Sequence, residues 1–296
     1  MSYGGEYLFV FLKTICYNNC KGVITLERKF NKCCFSEETN NYDKQYLSSA
    51  FLRGIAFGKN VSDFEGESAT ISIKNKDDIR LAVKKAYIDM SPRTFDKNGE
   101  WWNNPENAKP NSKERLKEKE TDWQQAKEEL FKWLADEFHA YFENGSYKVF
   151  DDWHKEICDK FLNEFKPKLK NYGYDAEKSL KYGKAQKIVN MTFKYLFCFD
   201  DAKDYAEKFD VCHMPIDSYI LKWYNDCCND CYNGMSKEKR CTVAWSDLDK
   251  GTYDELQKNI KKILDGYNPF LAEFYIWAEY IHRSSKNERL TIKSQV

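Results

Sequence analysis

The spacing of apolar residues predicts helices through most of the chain after residue 111. Charged segments at residues 113–142 and 150–165 each carry an apolar stripe at helical period, and Asp175 is a plausible N-cap for a central helix that follows. The stripe of this central helix consists of Ala185, Ile188, Val189, Thr192, Leu196 and Phe199. Further helices are predicted at residues 215–225, 254–264 and 269–282. A succession of helices without alternating strands predicts a mainly α, multi-helix assembly.

The N-terminal third is ambiguous. Residues 6–15 and 66–74 contain short apolar or alternating runs that predict strands, whereas residues 76–90 have helical spacing. Residues 91–112 are rich in Pro, Asn and Gly, which predicts a loop between two domains. We therefore expect an N-terminal region of ambiguous class at residues 1–111, with at most a small β element. An all-helical domain at residues 112–296 is expected to carry the candidate site.

Composition and charge limit the cellular location and the kinds of binding partner that we expect. The 296 residues include 47 basic and 47 acidic side chains, so the formal net charge is zero and no overall field attracts nucleic acid or membrane. No apolar run is long enough to span a bilayer, and the first residues lack the basic lead of a secretory signal. We expect a cytoplasmic protein without a membrane partner.

Cysteine usage leaves one question open. The chain has 11 cysteines, and two groups of them have spacings that resemble those of metal ligands. The groups are Cys16, Cys20, Cys33 and Cys34, and Cys227, Cys228, Cys231 and Cys241. Neither contains two C-x2-C pairs at the separation of a familiar zinc site, so ordinary reduced cysteines are the favoured interpretation. Zinc at either group stays open, and the predicted chemistry needs no metal or other cofactor.

Two lysines on the central helix and an aspartate after it suggest a chemistry. Lys187 and Lys194 are seven residues apart and face away from the apolar stripe, and Asp217 begins the next helix. The ordinary interpretation is two solvated lysines and an N-cap aspartate. However, Met191 and Cys198 share the side of the lysines. A buried lysine that faces an aspartate is the minimal equipment for attack by an amine on an electrophilic carbon.

The segment around these lysines is basic, although the whole chain is neutral. Residues 166–194 contain eight lysines and two carboxylates, which gives a net charge of +6. Such a stripe is sufficient for a few contacts with a phosphate backbone. The residues expected at that backbone are Lys166, Lys168, Lys170, Gly183 and Lys184.

Three short motifs resemble the helix-hairpin-helix DNA glycosylases, and most of all the archaeal 8-oxoguanine DNA glycosylase family. They are the run AQKIV at residues 185–189, the second lysine Lys194, and the tripeptide PID at residues 215–217. The resemblance implies that Lys187 and Asp217 are catalytic. It also implies a base pocket that includes Lys194 and Trp277, to which His213 is a further candidate donor. The hairpin of that superfamily carries several glycines, whereas only Gly183 lies near Lys184 here.

The resemblance implies an enzyme that excises a damaged, oxidised base from DNA. The base would be flipped out of a duplex or taken from a single strand, Lys187 would attack the anomeric carbon, and Asp217 would stabilise the cationic sugar. The Schiff base would then allow strand cleavage, so that glycosylase and lyase activities share one nucleophile. No cofactor is expected, and no small-molecule ligand except a free nucleobase.

Two other classes of protein remain open. One is a non-catalytic helical interaction protein of a mobile-element or host-defence system that binds protein or RNA, which suits the neutral charge and the long charged helix at residues 113–142. The other is an RNA-directed enzyme with a zinc knuckle built from the cysteines. Geometry separates them from the glycosylase, which requires the Lys187 amine and an Asp217 oxygen to face one cleft, at most a few ångströms to about one water apart.

Overall fold

The computed structural model describes residues 71–90, 112–143, 149–171 and 176–280, except residues 275, 278 and 279. The helices are α1 (Lys76–Asp89), α2 (Ser112–Glu143), α3 (Phe150–Asn171), α4 (Ala176–Ser179), α5 (Tyr182–Leu196), α6 (Ala206–Asp210), α7 (Ser218–Asn229) and α8 (Lys250–Leu264). A final helical segment covers residues 269–274 and includes residues 276, 277 and 280. No strand occurs in the described part of the chain, which confirms the prediction of a mainly α fold.

Side-chain caps fix where several helices begin. Asn75 accepts a hydrogen bond from the Asp77 amide at the start of α1, and Asp249 accepts one from the Thr252 amide at the start of α8. Asp217 caps α7 in the same way, since its side chain accepts from two backbone amides. These caps satisfy amide groups that have no partner within the helix.

Some predicted boundaries were wrong. Residues 215–217 are not helical and α7 begins after them, because Asp217 is its cap. The N-cap position of α5 is Lys181, which provides no side-chain hydrogen bond, and Asp175 lies outside the described residues. Of the two predicted strands, residues 6–15 also lie outside the described part. The last residues of the second, 71–74, form no strand; the amides of Ile71 and Ile73 donate to the carboxylates of Asp200 and Asp201.

Helix α5 lies at the centre of the core. It packs against α1, α3, α8 and the 3₁₀ turn Trp245–Asp247, and every residue of α5 except Lys194 is buried. The predicted burial of Ile188, Val189, Thr192 and Leu196 is confirmed. Because neighbours cover all sides of α5, its polar residues must find partners inside the protein.

Aromatic side chains fill much of this core. The Phe193 ring on α5 lies 4.9 Å from the ring of Phe138 on α2 and 5.5 Å from that of Trp153 on α3, in edge-on arrangements that aromatic pairs prefer. Full burial of a side chain such as Phe193 stabilises the fold by about 1.5–3 kcal/mol. These contacts hold α2, α3 and α5 together and so determine which way the polar residues of α5 point.

Helix α1 belongs to the same core, since it packs against both α2 and α5. The domain boundary at residue 111 stays a prediction, because most of the first 111 residues lie outside the described part. Among the described helices, none combines the length and apolar character needed to cross a bilayer.

Candidate active site

Lys187 and Asp217 form a buried ion pair. Lys187 Nζ donates to Asp217 Oδ2 at 3.0 Å, and the two side chains are 6% and 11% exposed. The other carboxylate oxygen of Asp217, Oδ1, accepts from the amides of Tyr219 at 2.9 Å and Ile220 at 3.0 Å. Asp217 therefore caps α7 and binds Lys187 at the same time.

The surroundings of Asp217 favour its charged form. Burial raises the pKa of this carboxyl, but the nearby charge of Lys187, the amide of Ile220 and the charge of Lys194 outweigh burial, so the pKa lies below its ordinary value. The carboxylate is thus ionised at neutral pH. A carboxylate at hydrogen-bond distance from an amine can receive its proton, which an amine must lose before it attacks carbon.

Lys194 and Glu273 form a second ion pair. Lys194 Nζ lies 2.6 Å from Glu273 Oε2, and the Glu273 side chain is 1% exposed. Apart from Lys194, no described residue donates a hydrogen bond to either oxygen of Glu273. Burial raises the pKa of the Glu273 carboxyl, whereas the charges of Lys194 and Lys187 oppose that rise.

The two ion pairs belong to one electrostatic cluster. The charges of both lysines act on both carboxyl groups. They help to lower the pKa of Asp217 below its ordinary value, and they reduce the rise that burial causes in the pKa of Glu273. Aromatic rings border the cluster: Lys194 Nζ lies 4.8 Å from the centre of the Trp277 ring and 4.7 Å from that of Phe274. Cations at such distances from a ring face are attracted by its quadrupole. The cluster therefore offers two amines, two carboxyl groups and flat apolar surfaces.

The ordinary interpretation of the lysines as solvated was wrong. No carboxylate lies between Glu177 and Asp200 in the sequence, and the partners of the two lysines, Asp217 and Glu273, come from elements distant in sequence. Glu273 was not identified from the sequence at all. The only signal that points to it is its position four residues before Trp277, one helical turn away.

His213 does not join this cluster. Its Nε2 lies 2.8 Å from Asp151 Oδ1, and its Nδ1 lies 2.8 Å from the hydroxyl of Tyr253. Burial lowers the pKa of His213, although Asp151 opposes that effect. The ring of a second buried histidine, His154, lies 4.8 Å away. The structure thus assigns His213 to a separate polar network between α3 and α8.

The lysines of the predicted basic stripe are paired with carboxylates. Lys166 and Lys170 bind Glu177 at 2.7 and 3.3 Å, and Lys168 binds Glu129 at 2.8 Å. Exposed pairs of this kind contribute little to stability, so a phosphate group can compete with the carboxylates for these lysines.

Lys184 and Gly183, the other two residues expected at a phosphate backbone, are buried inside the protein. Lys184 is 6% exposed, and burial lowers its pKa to about 8. The Gly183 amide donates to Leu248 O, and a Cβ at Gly183 would lie 1.9 Å from Trp245 O. Glycine is needed here for close packing of α5 against the Trp245–Asp247 turn, which explains its occurrence without reference to DNA.

The cysteines give no sign of a metal centre in the described part of the chain. Cys227, Cys228, Cys231 and Cys241 are free thiols, and the described residues contain no group of three or more His, Cys, Asp or Glu side chains arranged to hold a metal ion. The cluster of Cys16, Cys20, Cys33 and Cys34 lies outside the described residues.

No protein-family model, curated protein or solved structure matches this chain. Function must therefore be inferred from the side chains of the site and from the resemblance in its short motifs.

Proposed function

We propose that this protein is a DNA base-excision glycosylase and AP lyase that removes a damaged, oxidised base through a Schiff base on Lys187. The observation that carries the proposal is the 3.0 Å contact between Lys187 Nζ and Asp217 Oδ2 in a buried site. This distance supports the proposal, because an amine nucleophile and its carboxylate partner must lie close together to act on one carbon.

The chemistry begins when Lys187 gives up a proton, for which Asp217 Oδ2 is within reach. The neutral amine bonds to the anomeric carbon as the bond from that carbon to the base nitrogen breaks, and the base leaves with the electron pair and takes up a proton. The proton that the base takes up comes from Asp217, so the carboxylate is anionic again and stabilises the positive charge on the sugar as the base leaves. Ring opening gives the protonated Schiff base, and β-elimination of the 3′ phosphate then cleaves the strand.

The second ion pair and its aromatic neighbours suit a base pocket. A flipped base needs flat surfaces on which to stack and polar groups at its edge. The rings of Trp277 and Phe274 can provide the surfaces, while Lys194 and Glu273 can donate to or accept from the base edge. The unused hydrogen-bonding capacity of Glu273 supports this role, since a base edge can satisfy it.

Borohydride trapping tests the proposal. The intact protein is mixed with oligonucleotides that each carry one oxidised base or one abasic site, as duplexes and as single strands, and sodium borohydride reduces any Schiff base to a stable adduct. We expect a trapped complex with the wild type and none with Lys187→Gln. Lys222→Gln is the matched control, because Lys222 lies on the exposed face of α7 and its loss should leave trapping intact. If the wild type traps none of these substrates, the proposal is wrong.

A non-catalytic helical interaction protein is the second candidate. It is favoured by the near-complete burial of the Lys187–Asp217 pair, because a closed ion pair can also serve only to fix the packing of two helices. In that case Lys187→Gln should lower the melting temperature, and wild-type protein should form no adduct with any DNA.

A further inference from the structure

The side chain of Gln186, which directly precedes Lys187, is completely buried and fully hydrogen bonded. Its Nε2 donates to Gly183 O at 2.9 Å and to Ile216 O at 2.8 Å. Its Oε1 accepts from the Ile216 amide at 3.2 Å and from Asn190 Nδ2 at 3.0 Å. A side-chain amide has two donor hydrogens and two acceptor lone pairs, so every hydrogen-bonding position of Gln186 is used.

Two of these hydrogen bonds join Gln186 to a single residue, Ile216, in another segment of the chain. Gln186 donates to the carbonyl and accepts from the amide of Ile216, which lies in the non-helical segment at residues 212–217 before α7. If the side-chain amide were turned around, its NH2 group would face the Ile216 amide and its oxygen would face the Ile216 carbonyl. Neither contact is a hydrogen bond, so the orientation of the side chain is fixed. Because Ile216 is buried, its two backbone groups would be left without these partners if Gln186 were replaced by an apolar residue.

This two-bond contact lies directly beside the Lys187–Asp217 pair. Gln186 is adjacent to Lys187 on α5, and Ile216 is adjacent to Asp217. Two parallel hydrogen bonds restrict both the distance and the rotation of one segment relative to the other. Asn190 holds Gln186 from the next turn of α5 and also donates to the hydroxyl of Tyr253 on α8 at 2.9 Å.

We propose that Gln186 is a positioning residue that sets the separation and orientation of Lys187 and Asp217. The hydrogen bonds of Gln186 support its effect on the geometry of the Lys187–Asp217 pair. An effect of Gln186 on base release rests on the proposed glycosylase function. Misplacement of reacting groups by about 1 Å can slow a reaction about 100-fold. Gln186 does not touch the substrate in this proposal and acts through the two residues that do.

Gln257 on α8 provides a matched control in the same segment. It donates to Met214 O at 2.7 Å and accepts from the Met214 amide at 3.3 Å, so it makes the same two-bond contact with a residue of that segment. It is equally buried, but Met214 is not adjacent to Asp217, and Lys187 lies on a different helix. A general loss of packing should affect both glutamine variants alike, whereas a positioning role should appear only at Gln186.

The first experiment follows the titration of the Asp217 carboxyl by NMR in the DNA-free protein, with Asp217→Asn for assignment. Lys187 helps to hold the pKa of this carboxyl below its ordinary value. Gln186→Met should raise the midpoint as the pair separates, and Gln257→Met should leave it where it is in the wild type. Gln186→Asn, which keeps an amide but is too short for both Ile216 contacts, is the second variant if the first does not fold, with Gln257→Asn beside it. An unchanged Asp217 midpoint in the Gln186 variants would overturn the proposal.

The second experiment measures single-turnover base release and DNA affinity at a temperature at which all variants are folded. Gln186→Met should slow base release about 100-fold with a Kd within about threefold of the wild type, and Gln257→Met should change both by less than about threefold. Equal losses of rate in the two variants would contradict a positioning role. If the wild type neither releases a base nor forms an adduct, the glycosylase proposal fails, and the Asp217 titration alone decides the role of Gln186.

Discussion

Lys194 on α5 and Glu273 in the final helical segment form an ion pair, with Nζ 2.6 Å from Oε2, in the same electrostatic cluster as Lys187 and Asp217; Glu273 is fully buried and Lys194 largely so. The cluster contains two positive and two negative side chains, so its charges balance. Loss of one member leaves an uncompensated charge in a buried site, which is more costly than loss of a complete pair. This difference can be measured without knowing what the protein binds.

Lys194→Met should therefore be more harmful to stability than the double variant Lys194→Met/Glu273→Leu. Removal of one partner of a buried pair typically destabilises by about 3–5 kcal/mol, whereas replacement of both by apolar residues is often nearly neutral. Urea denaturation of the wild type, both single variants and the double variant gives the coupling energy. Additive effects of the two substitutions would show that the pair contributes nothing to stability.

The loss of folding stability in Lys194→Met should be larger at higher pH. Burial raises the pKa of Glu273, so the folded state binds a proton more readily than the unfolded state, and stability falls as pH rises through the folded pKa. Without Lys194 the opposing charge is smaller and this effect grows. The loss of stability in Lys194→Met should be smaller at about pH 5 than at about pH 7.

Asp217→Asn separates the two functions of this residue, since asparagine caps helices about as well as aspartate but carries no charge. If Asp217 stabilises a sugar cation, base release should slow by about two to three decades, the usual effect of losing such electrostatic stabilisation. The variant should also be less stable by about 3–5 kcal/mol, because Lys187 loses its partner. Single-turnover kinetics and calorimetry measure the two effects.

Asp249→Asn is the matched control for that experiment. Asp249 caps α8 through the Thr252 amide at 2.7 Å and has no buried lysine partner. Its substitution should change stability by less than about 0.5 kcal/mol and leave base release unchanged. If both asparagine variants behave alike, Asp217 acts only as a helix cap.

The sequence was informative about the helices and much less so about which polar residues meet. The apolar stripe through Ile188 and Leu196 predicted α5, because periodicity is a local property. The pairing of Lys194 with Glu273 depends on tertiary packing between elements distant in the chain, and no spacing rule contains it. The same limit applies to Gln186, whose role is visible only from its bonds to Ile216.

Gly183 illustrates a residue whose meaning changed with the structure. As a sequence feature it suggested close approach of a phosphate, but Trp245 O occupies the space into which a Cβ would project. Gly183→Ala should therefore force the Trp245–Asp247 turn away from α5 and destabilise the protein by more than about 2 kcal/mol, as overpacking in a core does. Urea denaturation measures this loss.

Gly251→Ala on α8 is the control for that substitution. A Cβ at Gly251 would meet only the Asp249 side chain at 3.6 Å, an ordinary contact distance. Because alanine favours helix by about 1 kcal/mol over glycine, this variant should be as stable as the wild type or more so. A Gly183→Ala protein with normal stability and weakened DNA binding would instead support the phosphate-contact interpretation.

The buried histidines should make stability decline in mild acid. Burial lowers the pKa of His154 well below its ordinary value and also lowers that of His213, so the unfolded state takes up these protons first as pH falls. The free energy of unfolding should therefore decrease below about pH 6.5, by up to about 1.4 kcal/mol per pH unit for each histidine. His154→Gln, which retains an amide for Asn190, should reduce this slope.

Asp151 should add a second decline at lower pH. A hydrogen bond from His213 lowers the pKa of this partly exposed carboxyl to about 2, despite some burial. Since an unfolded aspartate titrates near pH 3.9, the stabilisation is complete above that value and is lost as pH falls toward 2. Asp151→Asn should remove this second decline and steepen the first, because Asp151 opposes the lowering of the His213 pKa. Urea denaturation of the wild type, His154→Gln and Asp151→Asn across this pH range distinguishes the two declines in stability. If the slope between about pH 6.5 and 5 is the same with and without His154, the first decline does not come from this histidine.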